Sequence, residues 1–274
     1  MKIGRRSFLI KLSLVITGLI GLIALDGFWF EKYIIDWTEF DISEGKKNKI
    51  KIIQLSDLHI QELKSFHKSI ASRINKEQPD VIVFTGDSVT RTSRLRVLEQ
   101  LLMLIDPKYL KIAILGNKEH DGKIPIEDLN SLFKKYNGLV LVNENYTLKK
   151  GNREINIIGL DDFMTGKADF EKAAAHIDPV KDTLILNHCP GYREKIEEMN
   201  KELGLNIKLI LSGHTHGGQI TFFGKELFKP DGSGRYLKGW YQNDATRMYV
   251  SKGIGTTILP IRFCARAEAS IFHL

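Results

Sequence analysis

From Ile50 onward the sequence alternates short β-branched runs with segments of helical spacing, and five of those runs stop on residues that bind metal ions. Residues 50–55, 81–85, 112–115, 183–186 and 207–211 read as buried strands, each a short stretch rich in Ile, Val and Leu. Residues 139–142 and 155–160 add two more. Residues 65–75, 95–105, 126–136, 168–176 and 192–203 read as helices, the first through the spacing of Phe66, Ile70 and Ile74. After Gly217 the pattern turns to short strands and Gly-rich turns, and no internal repeat or low-complexity tract interrupts it. Strand–helix alternation of this kind specifies an α/β layered domain, in which ligands gather where strands run out into loops.

The fragments at those strand ends are Asp57-Leu58-His59, Gly86-Asp87, Gly116-Asn117, Asn187-His188 and Gly213-His214-Thr215-His216. Asp57 and His59 stand two apart, and on an extended segment such residues point the same way, so both face one ion. His214 and His216 repeat that spacing. Taken singly, Asp87 reads equally well as a helix N-cap, Asn117 as a turn residue and His188 as a core histidine. Their occurrence together, in order, at strand ends is what points to metal. The set supplies oxygen and nitrogen ligands for two divalent cations sharing one carboxylate, the inventory of a two-metal hydrolase.

This ordered set resembles the calcineurin-like metallophosphoesterase superfamily over about residues 50–274. The block Gly213-His214-Thr215-His216-Gly217-Gly218-Gln219 and the tail Tyr249-Val250-Ser251-Lys252-Gly253-Ile254-Gly255 are similar to its bacterial exported or membrane-anchored branch. The resemblance implies a four-layer αββα sandwich with the metals at the strand C-termini. It implies that Asp57, His59 and His216 hold the first ion, that Asn117, His188 and His214 hold the second, and that Asp87 bridges them. Two divalent metal ions follow, and mixed N/O ligands suit Mn, Fe or Zn rather than Ca. The implied reaction is hydrolysis of a phosphoester or pyrophosphate bond by a metal-activated hydroxide attacking in line.

One departure matters. The family pattern is Gly-Asn-His followed by an acid, and that His helps the leaving group depart. Here the segment reads Gly116-Asn117-Lys118-Glu119-His120-Asp121. Lys118 holds the His place, and a lysine with its ordinary pKa of about 10.4 is a poor proton donor at neutral pH. Three readings stay open: His120 swings in as the acid, the leaving group is acidic enough to need none, or the chain is a degenerate, non-catalytic metal-binding surface protein. Arg235, in a basic aromatic stretch with Lys238, Trp240 and Tyr241, is a candidate substrate-phosphate contact or the edge of a surface hairpin. Arg262 either braces the sheet or touches substrate, while His67, His176 and His273 read as structural or exposed.

At the N-terminus, Lys2, Arg5, Arg6 and Lys11 precede the apolar run 12–25, a charged n-region followed by an h-region. Arg5-Arg6-Ser7-Phe8-Leu9 resembles part of the twin-arginine export signal, with Gly4 where Ser or Thr is usual. No small-x-small cleavage site follows, and extension through Trp29 and Phe30 reaches the roughly 20 residues a spanning helix needs. Residues 1–30 are therefore a signal peptide or membrane anchor, 31–49 a Lys-rich connector and 50–274 the metallophosphoesterase domain. Positive charge stays cytoplasmic, so either route puts the catalytic domain on the extracytoplasmic side of the cytoplasmic membrane or exports it. A helix lying on the inner face is the alternative.

The formal charge of +7 over 274 residues lies partly in this N-terminal segment, and the rest is too mild an excess for an expected nucleic-acid partner. The expected substrate is a phosphorylated small molecule or lipid. A UDP-2,3-diacylglucosamine-type pyrophosphatase is the named alternative, and it requires a cytoplasmic-facing site. Two cysteines, Cys189 and Cys264, make no disulfide framework and read as free, buried thiols.

Overall fold

The computed structural model describes residues 4–222 and 225–274; Lys2 of the basic segment lies outside them. Helix α1 (Arg5–Leu25) runs through a π-helical turn, Asp26–Phe30, into the short α2 (Glu31–Tyr33). The stretch Arg5–Tyr33 is long and apolar enough to cross a membrane. The large apolar side chains of α1 face away from the rest of the chain, whereas Gly27 is buried and its carbonyl accepts the Arg262 N–H at 3.0 Å.

β1 (Asp36–Asp41) follows at once and pairs in parallel with β14 (Glu268–His273). The segment read as a connector therefore carries an edge strand. Its two aromatics fall on opposite faces, Trp37 toward the helices and Phe40 toward the second sheet, so no period-two pattern stands out.

The first sheet continues from β14 through β2 (Lys51–Leu55), β3 (Val81–Thr85), β4 (Leu110–Ile114) and β5 (Gly138–Val140), the last four mutually parallel. The second sheet begins with β6 (Glu144–Lys150), antiparallel to β7 (Arg153–Gly159). It continues through β8 (Thr183–Leu186) and β9 (Ile207–Ser212), both parallel to β7. A small ribbon, β10 (Thr221–Phe222) with β11 (Lys225–Glu226), leads to β12 (Gly239–Gln242) and β13 (Arg247–Val250), which close the second sheet beside β9. β6 escapes sequence reading because it is a charged edge strand, with Lys149 and Lys150 at its end.

Alternation along the strands builds four layers. Ile52, Val83 and Ile112 pack between the sheets on Leu184, Leu209 and Phe272. Ile53 and Phe84 face the other way, onto α3 (Ser65–Glu77), α4 (Leu95–Leu102) and α6 (Ile126–Lys135). The short α5 (Asn117–Asp121) follows β4. Ile158, Ile185 and Ile210 pack on α7 (Phe170–Ala173) and α8 (Arg193–Leu203). This is the αββα sandwich of the α/β class. Because β2 to β5 and β7 to β9 are parallel within their sheets, their C-terminal ends share an edge. There the Gln54 amide donates to Thr85 Oγ1 in its own sheet and reaches across to Ser212 O, both at 3.0 Å, the second bond fastening one sheet to the other beneath the metal-type fragments.

His67, in α3, illustrates the outer layer. It is buried, and its Nδ1 accepts the Lys64 N–H at 3.0 Å, which requires the neutral ring. Burial first, and the Lys64 charge second, hold its pKa down at about 4. The unfolded chain therefore binds this proton first, and the contribution is complete above the unfolded value, near pH 6.5, and lost as pH falls toward 4. In urea denaturation between pH 6.5 and 4.5, the loss of stability shrinks by about 2 kcal/mol in His67→Gln relative to wild type. Equal losses would remove His67 as the acid-labile group.

Candidate metal centre

Seven side-chain donors converge where the parallel strands end, in two groups joined by Asp87. In the first, His59 Nε2 lies 3.1 Å from His216 Nε2, which is 3.7 Å from Asp57 Oδ1. In the second, Asn117 Oδ1 lies 3.3 Å from His188 Nε2 and 3.1 Å from His214 Nδ1, and the two imidazole nitrogens are 3.3 Å apart. Asp87 gives one oxygen to each group: Oδ2 is 3.5 Å from His59 Nε2, and Oδ1 is 3.5 Å from His188 Nε2. Ligands held at about 2.1 Å from one cation stand roughly 3 to 4 Å apart, which is the spacing seen here. The donor set therefore fits two divalent cations.

The backbone is bent to make this possible. Asp57, His59, Asp87, His214 and His216 all have φ between 40° and 73°, a left-handed conformation that costs a non-glycine residue free energy. Asp57 and His59 do converge on one group, but through left-handed turns rather than along an extended segment. Their loop is pinned to the next one by Asp57 N–H to Gly86 O at 3.1 Å and His59 N–H to Asp87 O at 2.9 Å. Gly86, at φ 88°, lies so close to the His188 ring that a β-carbon would overlap it. A β-carbon on Gly213 would meet Ser56 Oγ, whose hydroxyl donates to Asp57 Oδ2 at 2.6 Å.

Behind the donors stands a supporting layer, of which the sequence reading names only Arg262. Glu119 is buried and accepts four backbone N–H groups, from Asp87 and Gly116 at 2.9 Å, Ser88 at 2.7 Å and Val89 at 3.1 Å. It ties the loop after β3 to the loop after β4. His188 Nδ1–H donates to Thr85 O at 2.8 Å and His214 Nε2–H to Asp231 O at 2.7 Å, leaving the other nitrogen of each ring for the cluster. Arg262, fully buried, donates to Ala265 O at 2.7 Å, Lys252 O at 2.9 Å and Gly253 O at 3.0 Å, so it braces the loop under Asp57. Of the two roles open to Arg262 in the segment Leu259-Pro260-Ile261-Arg262-Phe263, these contacts fit the bracing one.

With the protein groups alone, burial disfavours charge on His188, but the carboxylates of Asp87, Asp57 and Asp162 outweigh it and raise the imidazole to about 10. Burial likewise opposes the Asp87 anion, yet His188 and His59 hold its carboxyl below the usual range. Burial lowers His59, His214 and His216 below the ordinary histidine value. The site thus offers neutral imidazole lone pairs beside anionic carboxylates, and the raised His188 marks its demand for positive charge.

His59, Asp87, Asn117, His214 and His216 open into a cavity of about 440 Å³. Lys118 lines it too, with Nζ 2.8 Å from Asp121 Oδ2. Two sequence candidates are not brought there. His120 turns to Asp161, at 2.6 Å, and Arg235 points to solvent with its side chain 74% exposed, over the Tyr236 ring and 3.9 Å from Glu194. His120 is held by the Asp161 carboxylate, whereas Arg235 lies over Tyr236 with no hydrogen-bonded partner among the described residues. Cys189 is buried with its thiol on Asp162 at 3.1 Å, while Cys264 is exposed, so burial holds for one thiol only.

A sandwich with two metal-binding groups at its strand ends defines a binuclear hydrolase scaffold. The calcineurin-like phosphoesterase family matches residues 50–218. The uncharacterized metallophosphoesterase YkuE of Bacillus subtilis (strain 168) is 32% identical over 258 residues, covering 90% of this chain and 87% of that protein. A transmembrane protein with metallophosphoesterase domain from Bos taurus is 30% identical over 240 residues, 81% of this chain and 52% of that protein. Among solved structures, a dimetal phosphatase from Danio rerio overlays with a TM-score of 0.48 at 10% identity, covering 75% of this chain and 88% of that one. The chain belongs to the calcineurin-like phosphoesterase family and is a metal-dependent phosphoric ester hydrolase.

Proposed function

We propose that this chain is a membrane-anchored binuclear enzyme, using Mn, Fe or Zn to hydrolyse a phosphoester or pyrophosphate bond whose leaving group needs little help from an acid. The observation that carries the reading is Asp87, whose two oxygens are directed one to each donor group. Asp57, His59 and His216 would hold one ion, Asn117, His188 and His214 the other, with Asp87 bridging. When bound, such a pair supplies Lewis acidity and lowers the pKa of water enough to yield a nucleophile at neutral pH.

The chain's own groups do the rest. Lys118 faces the cavity and supplies a positive charge for phosphoryl oxygens. Glu119 fixes the loops that aim Asp87 and Asn117. The His120–Asp161 contact argues against His120 as the proton donor. Membership in a family of metal-dependent phosphoesterases does not favour the degenerate reading. Arg5, Arg6 and Lys11 at the start of α1, with the domain at its other end, support an extracytoplasmic catalytic domain and do not favour a cytoplasmic-facing UDP-2,3-diacylglucosamine-type pyrophosphatase.

The test is the leaving-group dependence of Mn²⁺-loaded full chain. Wild type hydrolyses 4-nitrophenyl phosphate far faster than an alkyl phosphate, because an alkoxide needs a proton that Lys118 donates poorly. Lys118→His raises kcat/KM for the alkyl ester by about 100-fold and moves the 4-nitrophenyl ester little. An unchanged ratio between the two esters would reject Lys118 as the source of that selectivity.

A further inference from the structure

The cavity over the donor groups is not the polar funnel that a water-soluble phosphoester would call for. Beyond the ligands, and besides polar residues such as Lys118, Gln219 and Thr257, its walls include Ile220, Leu227, Phe228, Pro230, Ile258 and Leu259. Several of these side chains project into solvent: Ile258 is 82% exposed, Leu227 68%, Phe228 55% and Leu259 52%. Large apolar side chains grouped around an active-site mouth mark a surface that meets hydrocarbon or another apolar partner.

What covers them follows from their neighbour. The segment that carries Ile258 and Leu259 is also the seat of the N-terminal helix. Gly27 packs so closely on it that a β-carbon would stand 3.0 Å from Arg262 O and 3.1 Å from Ile261 Cγ1. The Glu31 carboxylate accepts the N–H groups of Cys264 at 2.8 Å and Ala265 at 2.9 Å, and Lys32 Nζ donates to Pro260 O at 3.3 Å. Phe28 and Trp29, 53% and 51% exposed, end the apolar stretch at this level, as aromatics do at a bilayer surface. Phe222, 49% exposed, extends the rim from the ribbon side, its ring 5.2 Å from that of Phe263. One short loop thus carries the membrane helix on one flank and the mouth of the cavity on the other.

We infer that the substrate is a membrane lipid: a phosphoester whose hydrocarbon chain lies along Leu227, Phe228, Ile258 and Leu259 while its phosphoryl group reaches the donor cluster from the bilayer that α1 spans. This deepens the hydrolase reading and rests on it, and on the anchoring of α1. The apolar rim acts as a positioning surface, and Lys118 lines the same cavity.

The test uses Mn²⁺-loaded full chain in phosphatidylcholine vesicles and three diesters, methyl, octyl and dodecyl 4-nitrophenyl phosphate, which share one leaving group. The expected result is a rise in kcat/KM of at least about tenfold from methyl to dodecyl, since each methylene removed from water adds to binding. Leu227→Gln with Ile258→Gln removes most of that rise. Val180→Gln keeps it; Val180 is 81% exposed beside the start of β8, at the end of the sheet away from the site, and controls for the general effect of replacing an exposed apolar side chain. A flat chain-length series, or a rise that survives the double substitution, overturns the proposal. If no diester is hydrolysed, the hydrolase reading is judged separately on 4-nitrophenyl phosphate and fails only if that monoester is untouched too. The lipid reading is then decided by calorimetric binding of methylphosphonate and dodecylphosphonate, where equal affinities overturn it and a tenfold preference lost in the double variant upholds it. A dimer in sedimentation that the double variant dissolves, without any chain-length preference, assigns the rim to a second copy of the chain and also overturns it.

Discussion

Asp87→Ala abolishes metal-dependent hydrolysis, lowering kcat by at least about a thousandfold, the equivalent of roughly 4 kcal/mol of transition-state stabilisation. The size follows from the geometry. Asp87 is the one side chain with an oxygen toward each donor group, at 3.5 Å from His59 Nε2 and 3.5 Å from His188 Nε2. Alanine removes a ligand from both groups at once and leaves His188 without its strongest counter-charge. The same carboxylate accepts the Lys118 N–H at 2.8 Å, so its loss also frees the first turn of α5, which carries Asn117. Elemental analysis after gel filtration should find fewer than two ions per chain in the variant. Retention of a tenth or more of wild-type activity would show that the two groups do not work through a shared carboxylate.

Glu119→Ala destabilises the fold by about 4 kcal/mol, the largest single-residue stability effect expected here outside the hydrophobic cores. Its carboxylate serves four backbone amides, from Asp87, Ser88, Val89 and Gly116. Alanine leaves them buried without an acceptor, each costing about 1 kcal/mol or more. Burial first, and the Asp87 charge second, push the Glu119 carboxyl up, and the Gly116 and Val89 amides pull back toward the anion that accepts them. Glu119→Gln does not rescue fully, because the new amide group places donors against donors. Equilibrium unfolding in urea reads the loss directly, and at this domain size it corresponds to a fall of roughly 10 °C in Tm. Apparent Mn²⁺ affinity falls with it, although Glu119 touches no ion, because the loops bearing Asp87 and Asn117 lose their tie. A change below about 1 kcal/mol would refute this role.

The donors were legible because each lies within a few residues of a strand end, and a strand end is where local pattern is strongest. Asp57, His59, Asp87, Asn117, His188, His214 and His216 each follow an apolar run, and it is their order at five strand ends, with the family pattern that order resembles, that singles them out. What local pattern did not carry was long-range pairing. β1 sits at an edge that only β14, more than 220 residues later, makes into a sheet. Arg262 and Glu119 act through backbone groups, which leave no residue-type signature in their neighbours. Even the i, i+2 spacing of Asp57 and His59 pointed to a shared ion for the wrong local reason, since both residues are left-handed rather than extended. His120 and Arg235 are candidates by residue type and nearness in sequence; His120 is instead held by Asp161, and Arg235 points to solvent, neither of which sequence spacing reveals.

The binuclear reading is tested most directly by electron paramagnetic resonance of the full chain equilibrated with Mn²⁺, with the metal content counted on the same sample. Two Mn²⁺ per chain, magnetically coupled as ions about 3.5–4 Å apart are, and losing that coupling in Asp87→Ala, is the predicted result. A single uncoupled Mn²⁺ per wild-type chain, at saturating metal, would contradict it.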